Sequence, residues 1–201
     1  MKLKSITYSQ FEGRPEEWHI KKILFGNINL IVGKNATGKS RTLNIIKGLG
    51  NLVSGDIVLA FMSGNYKAIF DKDGEELTYI LKYDYGEVEK EKLIIGSEVK
   101  LDRKSGGKGK IYAVKMNDFM KFQAPTNQIA CVIRRDEVQH PFFEDLYTWG
   151  KNLRHYYFGT QLGKDHFAVF KKGREEQEIN LKDTNITVAI LKKGMKKYND
   201  K

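Results

Sequence analysis

The sequence predicts an α/β chain in which a strand, a glycine-rich loop and a helix come first and an inserted antiparallel β-meander follows. Three observations predict it. Ile28-Asn29-Leu30-Ile31-Val32 is an apolar, β-rich run that ends in Gly33, the form of a buried strand running into a loop. From Ser40 to Leu49 the apolar residues Leu43, Ile45, Ile46 and Leu49 lie near one helical face, and Gly48 and Gly50 read as stop signals. Beyond that, short β-forming segments alternate with turn dipeptides.

Taken in order, Leu3 to Tyr8 reads as a strand. A turn at Gly13-Arg14-Pro15 separates it from a second apolar approach through Trp18, Ile20, Ile23, Leu24 and Phe25. The meander is expected over Tyr66 to Phe70, Leu77 to Tyr83, Lys92 to Ile95, Val99 to Leu101 and Ile111 to Met116. Its turns fall at Asp71-Lys72-Asp73-Gly74, Tyr85-Gly86, Gly96-Ser97 and Lys104-Ser105-Gly106-Gly107. A strand at Gln128 to Ile133 follows, then a helix from about Pro141 carrying Phe142, Phe143, Leu146, Trp149 and Leu153. The tail alternates again at His166 to Phe170 and Ile186 to Leu191 and ends rich in lysine.

With 201 residues the chain suits one domain or two small lobes. No apolar run approaches the roughly 20 residues that span a bilayer, and the N-terminus lacks an apolar export segment; no membrane contact and a cytoplasmic location are expected. The single cysteine, Cys131, sits in an apolar run and is expected to be buried and inert. A formal charge of +10 favours contact with polyanions, nucleic acid or a triphosphate, but lysines scattered in pairs and triplets favour a solvated surface over a dedicated nucleic-acid patch.

The chemistry is carried by Gly33-Lys34-Asn35-Ala36-Thr37-Gly38-Lys39-Ser40, which fits G-x-x-x-x-G-K-[ST], the P-loop or Walker A motif, at every fixed position. Glycines at the two ends permit backbone angles that turn successive N–H groups toward phosphate oxygens, and a helix start adds its positive dipole end. Lys39 is expected on the β- and γ-phosphates and the Ser40 hydroxyl on Mg²⁺. The ligand expected is therefore ATP or another purine nucleoside triphosphate, with magnesium. No Asn/Thr-Lys-x-Asp base-reading motif follows the loop.

The stretch from Phe25 to Ile46, with Asn35 inside the loop, resembles the Walker A region of the RecF/SMC/ABC-like ATPases, whose usual form is Asn-x-Ile-x-Gly-x-Asn-Gly-x-Gly-Lys-Ser. Ala36 and Arg41 depart from the commoner glycine and threonine. The segment through Glu91, Leu93, Gly96, Leu101, Arg103 and Gly106 is similar to the antiparallel β-subdomain of AAA-type members of that group. This resemblance implies a P-loop NTPase first lobe at 1–160 with an ABC-type meander at about 56–116, and a C-terminal strand and tail at 161–201 that would begin a second half. It implies ATP as the nucleotide, bound by residues Gly33 to Arg41. It also implies a second lobe or a homodimer partner, and a role in DNA repair or defence.

A hydrolase of that group needs a Walker B acid pair and a signature sequence. Asp136-Glu137 follows the apolar run Ile129 to Ile133, but Arg134 and Arg135 separate it from that run, which favours a surface turn. Ser105-Gly106-Gly107 imitates the second, yet leads into Ile111-Tyr112-Ala113-Val114, so a hairpin turn is expected. Binding without efficient turnover follows. Trp18 and Tyr8 suit either adenine stacking or core packing, and His140, His155 and His166 lack the spacing of a metal pair. Two other functions fit the same residues: a self-contained P-loop phosphotransferase, and a basic nucleic-acid-binding module with a vestigial loop.

Overall fold

The computed structural model describes residues 1–59 and 63–156. The expected strands at 166–170 and 186–191, the lysine-rich tail and His166 lie outside the described residues. The chain divides into two compact units, Met1–Asn152 and Leu153–Lys201, and every element below belongs to the first.

Eight strands form one sheet: β1 (Lys2–Gln10), β2 (Trp18–Leu24), β3 (Gly64–Lys72), β4 (Glu75–Asp84), β5 (Glu87–Ile95), β6 (Glu98–Lys104), β7 (Lys108–Ala113) and β8 (Asp118–Gln123). Their order is β2-β1-β3-β4-β5-β6-β7-β8, with every neighbouring pair antiparallel. Two-residue turns close the tight hairpins. Asp73 and Gly74, then Tyr85 and Gly86, take the positive φ angles such turns demand. Three helices are present among the described residues: α1 (Lys39–Val53), α2 (Ala130–Ile133) and α3 (Phe142–Asn152).

This corrects the expected fold class. An α/β P-loop lobe requires a strand at Ile28–Val32 inside a parallel sheet, and the structure has an open antiparallel sheet instead. The segment forms no strand because none of its backbone groups pairs with a neighbouring strand among the described residues; Ile28, Leu30 and Val32 are 95%, 86% and 77% exposed. β-Propensity expresses itself only where a partner strand supplies the ladder.

One face of the sheet carries the core. Tyr8, Tyr66, Leu81 and, in the next rows, Ala68, Tyr79, Leu93, Leu101 and Ile111 stand on it. α1 covers this face with Leu49, Leu52 and Val53, and α3 with Phe143 and Leu146. Trp149 of α3 meets Phe70 of β3 edge-on at 4.8 Å.

α1 continues to Val53, through the two glycines expected to end it. Gly48 serves close packing, since a Cβ there would lie 3.3 Å from the Tyr66 hydroxyl, and Gly150 of α3 does the same, since its Cβ would lie 2.4 Å from the Gly50 carbonyl oxygen. The expected strand at Gln128–Ile133 is also corrected, since four of its residues form α2. A buried carboxylate explains it. Glu91 accepts hydrogen bonds from the Ala130 and Cys131 amides at 2.6 and 2.9 Å, which satisfies the open N-terminal donors of that turn. Glu91 faces Arg103 directly across β5 and β6, both fully buried, at 3.3 Å. Arg103 in turn donates to the Gln128 and Pro125 carbonyls, each at 2.6 Å.

Candidate functional site

The site lies between the end of β2 and the start of α1. The last sheet-like bond before it runs from the Phe25 amide to the Lys4 carbonyl at 2.8 Å. Asn29 then folds the chain back: its Oδ1 accepts from the Gly26 amide at 2.8 Å and its Nδ2 donates to the Gly26 carbonyl at 3.2 Å. The loop that follows turns tightly, with Ala36 at φ 63° and Gly38 at φ 90°. Gly38 is thus glycine for a conformational reason. Gly33 is glycine for a steric one, because a Cβ there would lie 2.8 Å from Thr37 Oγ1.

Three bonds hold the loop. Thr37 Oγ1 donates to the Lys34 carbonyl at 2.9 Å, while the Lys39 ammonium donates to the carbonyls of Gly33 and Lys34 at 2.7 and 2.6 Å. Lys39 therefore lies across its own loop. Asn35 and Ala36 form a turn that brings the Thr37 amide toward the Lys34 carbonyl, while the amides of residues 34–36 and 38 donate to no acceptor among the described residues, and the Ser40 hydroxyl has none either. α1 begins with Gly38 as its N-cap, without a side-chain cap and without an acid in its first turn.

The charge here runs against the usual preference. Cations are disfavoured at a helix N-terminus, where the dipole is already positive, yet Lys39 and Arg41 occupy the first turn and Lys34 stands in the loop before it. An anion would balance that accumulation. The residues fit a triphosphate with its metal: unpaired amides and an ammonium for phosphate oxygens, and one exposed hydroxyl, Ser40, for Mg²⁺.

Arg41 is directed elsewhere. Its guanidinium lies 4.1 Å from the centroid of the Trp18 ring and donates to Gln10 Oε1 at 3.0 Å. The Trp18 ring in turn borders the loop, 3.4 Å from where a Cβ on Gly38 would be. Tyr8 is buried in the core, its ring 4.6 Å from that of Tyr66 and 6.2 Å from that of Trp18. The stacked Arg41–Trp18 pair was not legible in the sequence, since 23 positions separate the two residues and the packing of α1 beside the Gln10–Trp18 end of the β1–β2 hairpin brings them together.

The remaining sequence candidates lie apart from this loop in the chain. Asp136 and Glu137 sit in the exposed turn between α2 and α3. Asp136 Oδ1 accepts from the Val138 and Gln139 amides at 2.7 and 3.1 Å, and those two bonds hold its carboxyl below the usual carboxylate range. Ser105–Gly107 is a tight turn joining β6 to β7, with Gly106 and Gly107 at φ 76° and 79°. His140 is buried, and its Nδ1 lies 3.0 Å from the Tyr112 carbonyl oxygen. Cys131 is buried beside Tyr79 and Glu91; burial first, then the Glu91 charge, pushes its thiol well up. No group of three or more metal-ligating side chains occurs among the described residues, nor does a helix long and apolar enough to cross a membrane.

Comparison of the chain with known protein families, with characterised proteins and with solved structures finds no match in any of the three.

Proposed function

We propose that this chain binds a nucleoside triphosphate, ATP with Mg²⁺, at Gly33 to Ser40, as the nucleotide-binding part of a RecF/SMC/ABC-like ATPase acting in DNA repair or defence. The observation that carries the reading is the loop itself: the amides of residues 34–36 and 38 have no partner among the described residues, in front of a helix whose first turn holds cations and no acid. Lys39 moves from the Gly33 and Lys34 carbonyls to phosphate oxygens, a short swing of a long side chain. Ser40 holds the metal.

Turnover by the chain alone is slow in this reading. Asp136 is already engaged as a turn cap, and Glu144-Asp145, which follows Phe142-Phe143, lies in the first turn of α3 and not at the end of a strand as a Walker B pair does. A second lobe or a second copy of the chain would supply the missing groups.

The experiment is a calorimetric titration of ATP·Mg²⁺ into the full chain and into Lys39→Ala, with and without duplex DNA. Loss of the charge-assisted contact weakens binding about 10- to 100-fold, the equivalent of about 1.5–3 kcal/mol. Equal affinity in the two proteins contradicts the reading. Rapid hydrolysis abolished by Asp136→Ala or Glu137→Ala contradicts the slow turnover.

A further inference from the structure

The face of the sheet turned away from the helices carries a ladder of lysines. Residues directly opposite in an antiparallel pair share a face. Lys90 of β5 lies opposite Lys82 of β4 on one side and Lys104 of β6 on the other. One step along the sheet a second row runs Lys67, Ile80, Lys92, Asp102, Lys110, Lys121 from β3 to β8. The two rows are two residues apart on each strand, so both point to the same side. That side is opposite to Tyr79, Leu81 and Leu93, and so opposite to the core.

Like charges directly opposite one another destabilise a sheet, so cation-on-cation pairs call for a counter-charge. The structure supplies few. Lys82 is paired with Glu12 and Glu89, and Asp102 stands in the second row. Lys67, Lys90, Lys92, Lys104, Lys110 and Lys121 form no ion pair among the described residues, and all but the half-buried Lys92 are exposed. Same-face lysines recur about 7 Å apart along a strand and about 5 Å apart across strands.

An aromatic pair adjoins the ladder. Tyr112 of β7 lies opposite Phe119 of β8, two residues beyond the Lys110–Lys121 pair and on the same face, with ring centroids 5.6 Å apart and edge to face. Phe119 is 45% exposed, and the Lys100 ammonium sits 4.3 Å from the Tyr112 ring centroid. Cations that track a phosphate backbone beside rings that take bases are the two elements of single-strand recognition. An acidic membrane surface would use the lysines alone. We infer that the outer face of β5 to β8 is a binding surface for single-stranded nucleic acid, independent of the triphosphate site.

The test is fluorescence anisotropy of a labelled oligothymidylate of about 20 nucleotides with the full chain, without nucleotide, at about 50 mM salt and upward. The double charge reversal Lys90→Glu/Lys104→Glu weakens binding at least about tenfold. It also flattens the slope of log affinity against log salt by about 1.4, at about 0.7 per single-strand phosphate contact. Lys21→Glu/Lys22→Glu on β2 changes net charge equally and shifts affinity by less than about twofold, because only long-range attraction is altered. Phe119→Ala weakens binding at least about fivefold with the salt slope unchanged, the mark of lost stacking. Lys110→Glu/Lys121→Glu repeats the first arm on different strands, and thermal melts confirm that each variant is folded. Several results overturn the inference: no binding by the unaltered chain, equal loss in the β2 control, tighter binding of a duplex of the same length, or binding of phosphatidylserine vesicles in place of the oligonucleotide.

Discussion

Two stretches of this chain are equally apolar and β-rich, and they end in opposite environments. In β4, Leu77, Tyr79, Leu81 and Tyr83 are buried at alternate positions and paired on both sides, by β3 and β5. In the segment before the Gly33–Ser40 loop, Ile28, Leu30 and Val32 stand at alternate positions too, but they are almost wholly exposed and belong to no ladder among the described residues. The difference lies in the partner, since a strand exists through its neighbours' hydrogen bonds and half-buried faces, whatever its own propensity. The same contrast separates stability from binding. The sheet is closed around buried tyrosines and an ion pair, whereas the loop is held by Thr37, Asn29 and a folded-back Lys39 and keeps its amides open.

The largest effect that sharpens this contrast comes from Glu91→Ala. It leaves the Arg103 charge buried beside two carbonyls and frees the Ala130 and Cys131 amides, so we expect a loss of about 3–5 kcal/mol in urea unfolding. A loss below about 1 kcal/mol would show that the pair does not organise the sheet. Next come matched truncations in the two stretches. Leu81→Ala removes a fully buried side chain and is expected to cost about 2–5 kcal/mol, while Leu30→Ala, at 86% exposure, stays within about 0.5 kcal/mol. Equal costs would mean that the Ile28–Val32 segment is packed in solution.

The third expectation concerns pH. Burial raises the phenol pKa of Tyr8, Tyr66, Tyr79 and Tyr83 in the fold, most strongly for Tyr66 and Tyr79. Their ordinary value is about 10. Below that pH both states keep these protons and the contribution to stability is complete. Above it the unfolded chain releases protons that the folded chain retains, so stability falls as pH rises toward the folded values, by up to about 1.4 kcal/mol per unit for each phenol. Urea midpoints should therefore begin to fall above about pH 8.5, where the buried Cys131 thiol adds a loss of the same sign, and should drop more steeply beyond about pH 10, with tyrosinate absorbance rising together with unfolding. Tyrosinate formation by these four residues in the folded chain would contradict their burial.

Much of this molecule was legible in the sequence, and the failures have one cause. The meander could be read because alternation at residues 66–70 and 77–83 and the Asp73-Gly74 and Tyr85-Gly86 turns are local signals. The helix after the glycine-rich loop could be read because the loop's glycines and the helix are contiguous. What misled was decided at long range. The Ile28–Val32 run lacks a partner strand, and α2 owes its first turn to a carboxylate 39 residues earlier in the chain. Gly48 of α1 is explained by Tyr66. Glu91 and Arg103 did break the apolar alternation of their strands, a signal of buried charge that the pattern alone could not separate from a turn.

The most direct measurement is an amide spectrum of the ¹⁵N-labelled chain titrated with ATP·Mg²⁺. The open amides of residues 34–36 and 38, with those of Lys39 and Ser40 at the helix start, should show the largest shifts, and inorganic triphosphate should move the same signals. A titration that leaves those amides unmoved, or moves only residues of the sheet, contradicts a phosphate site at this loop.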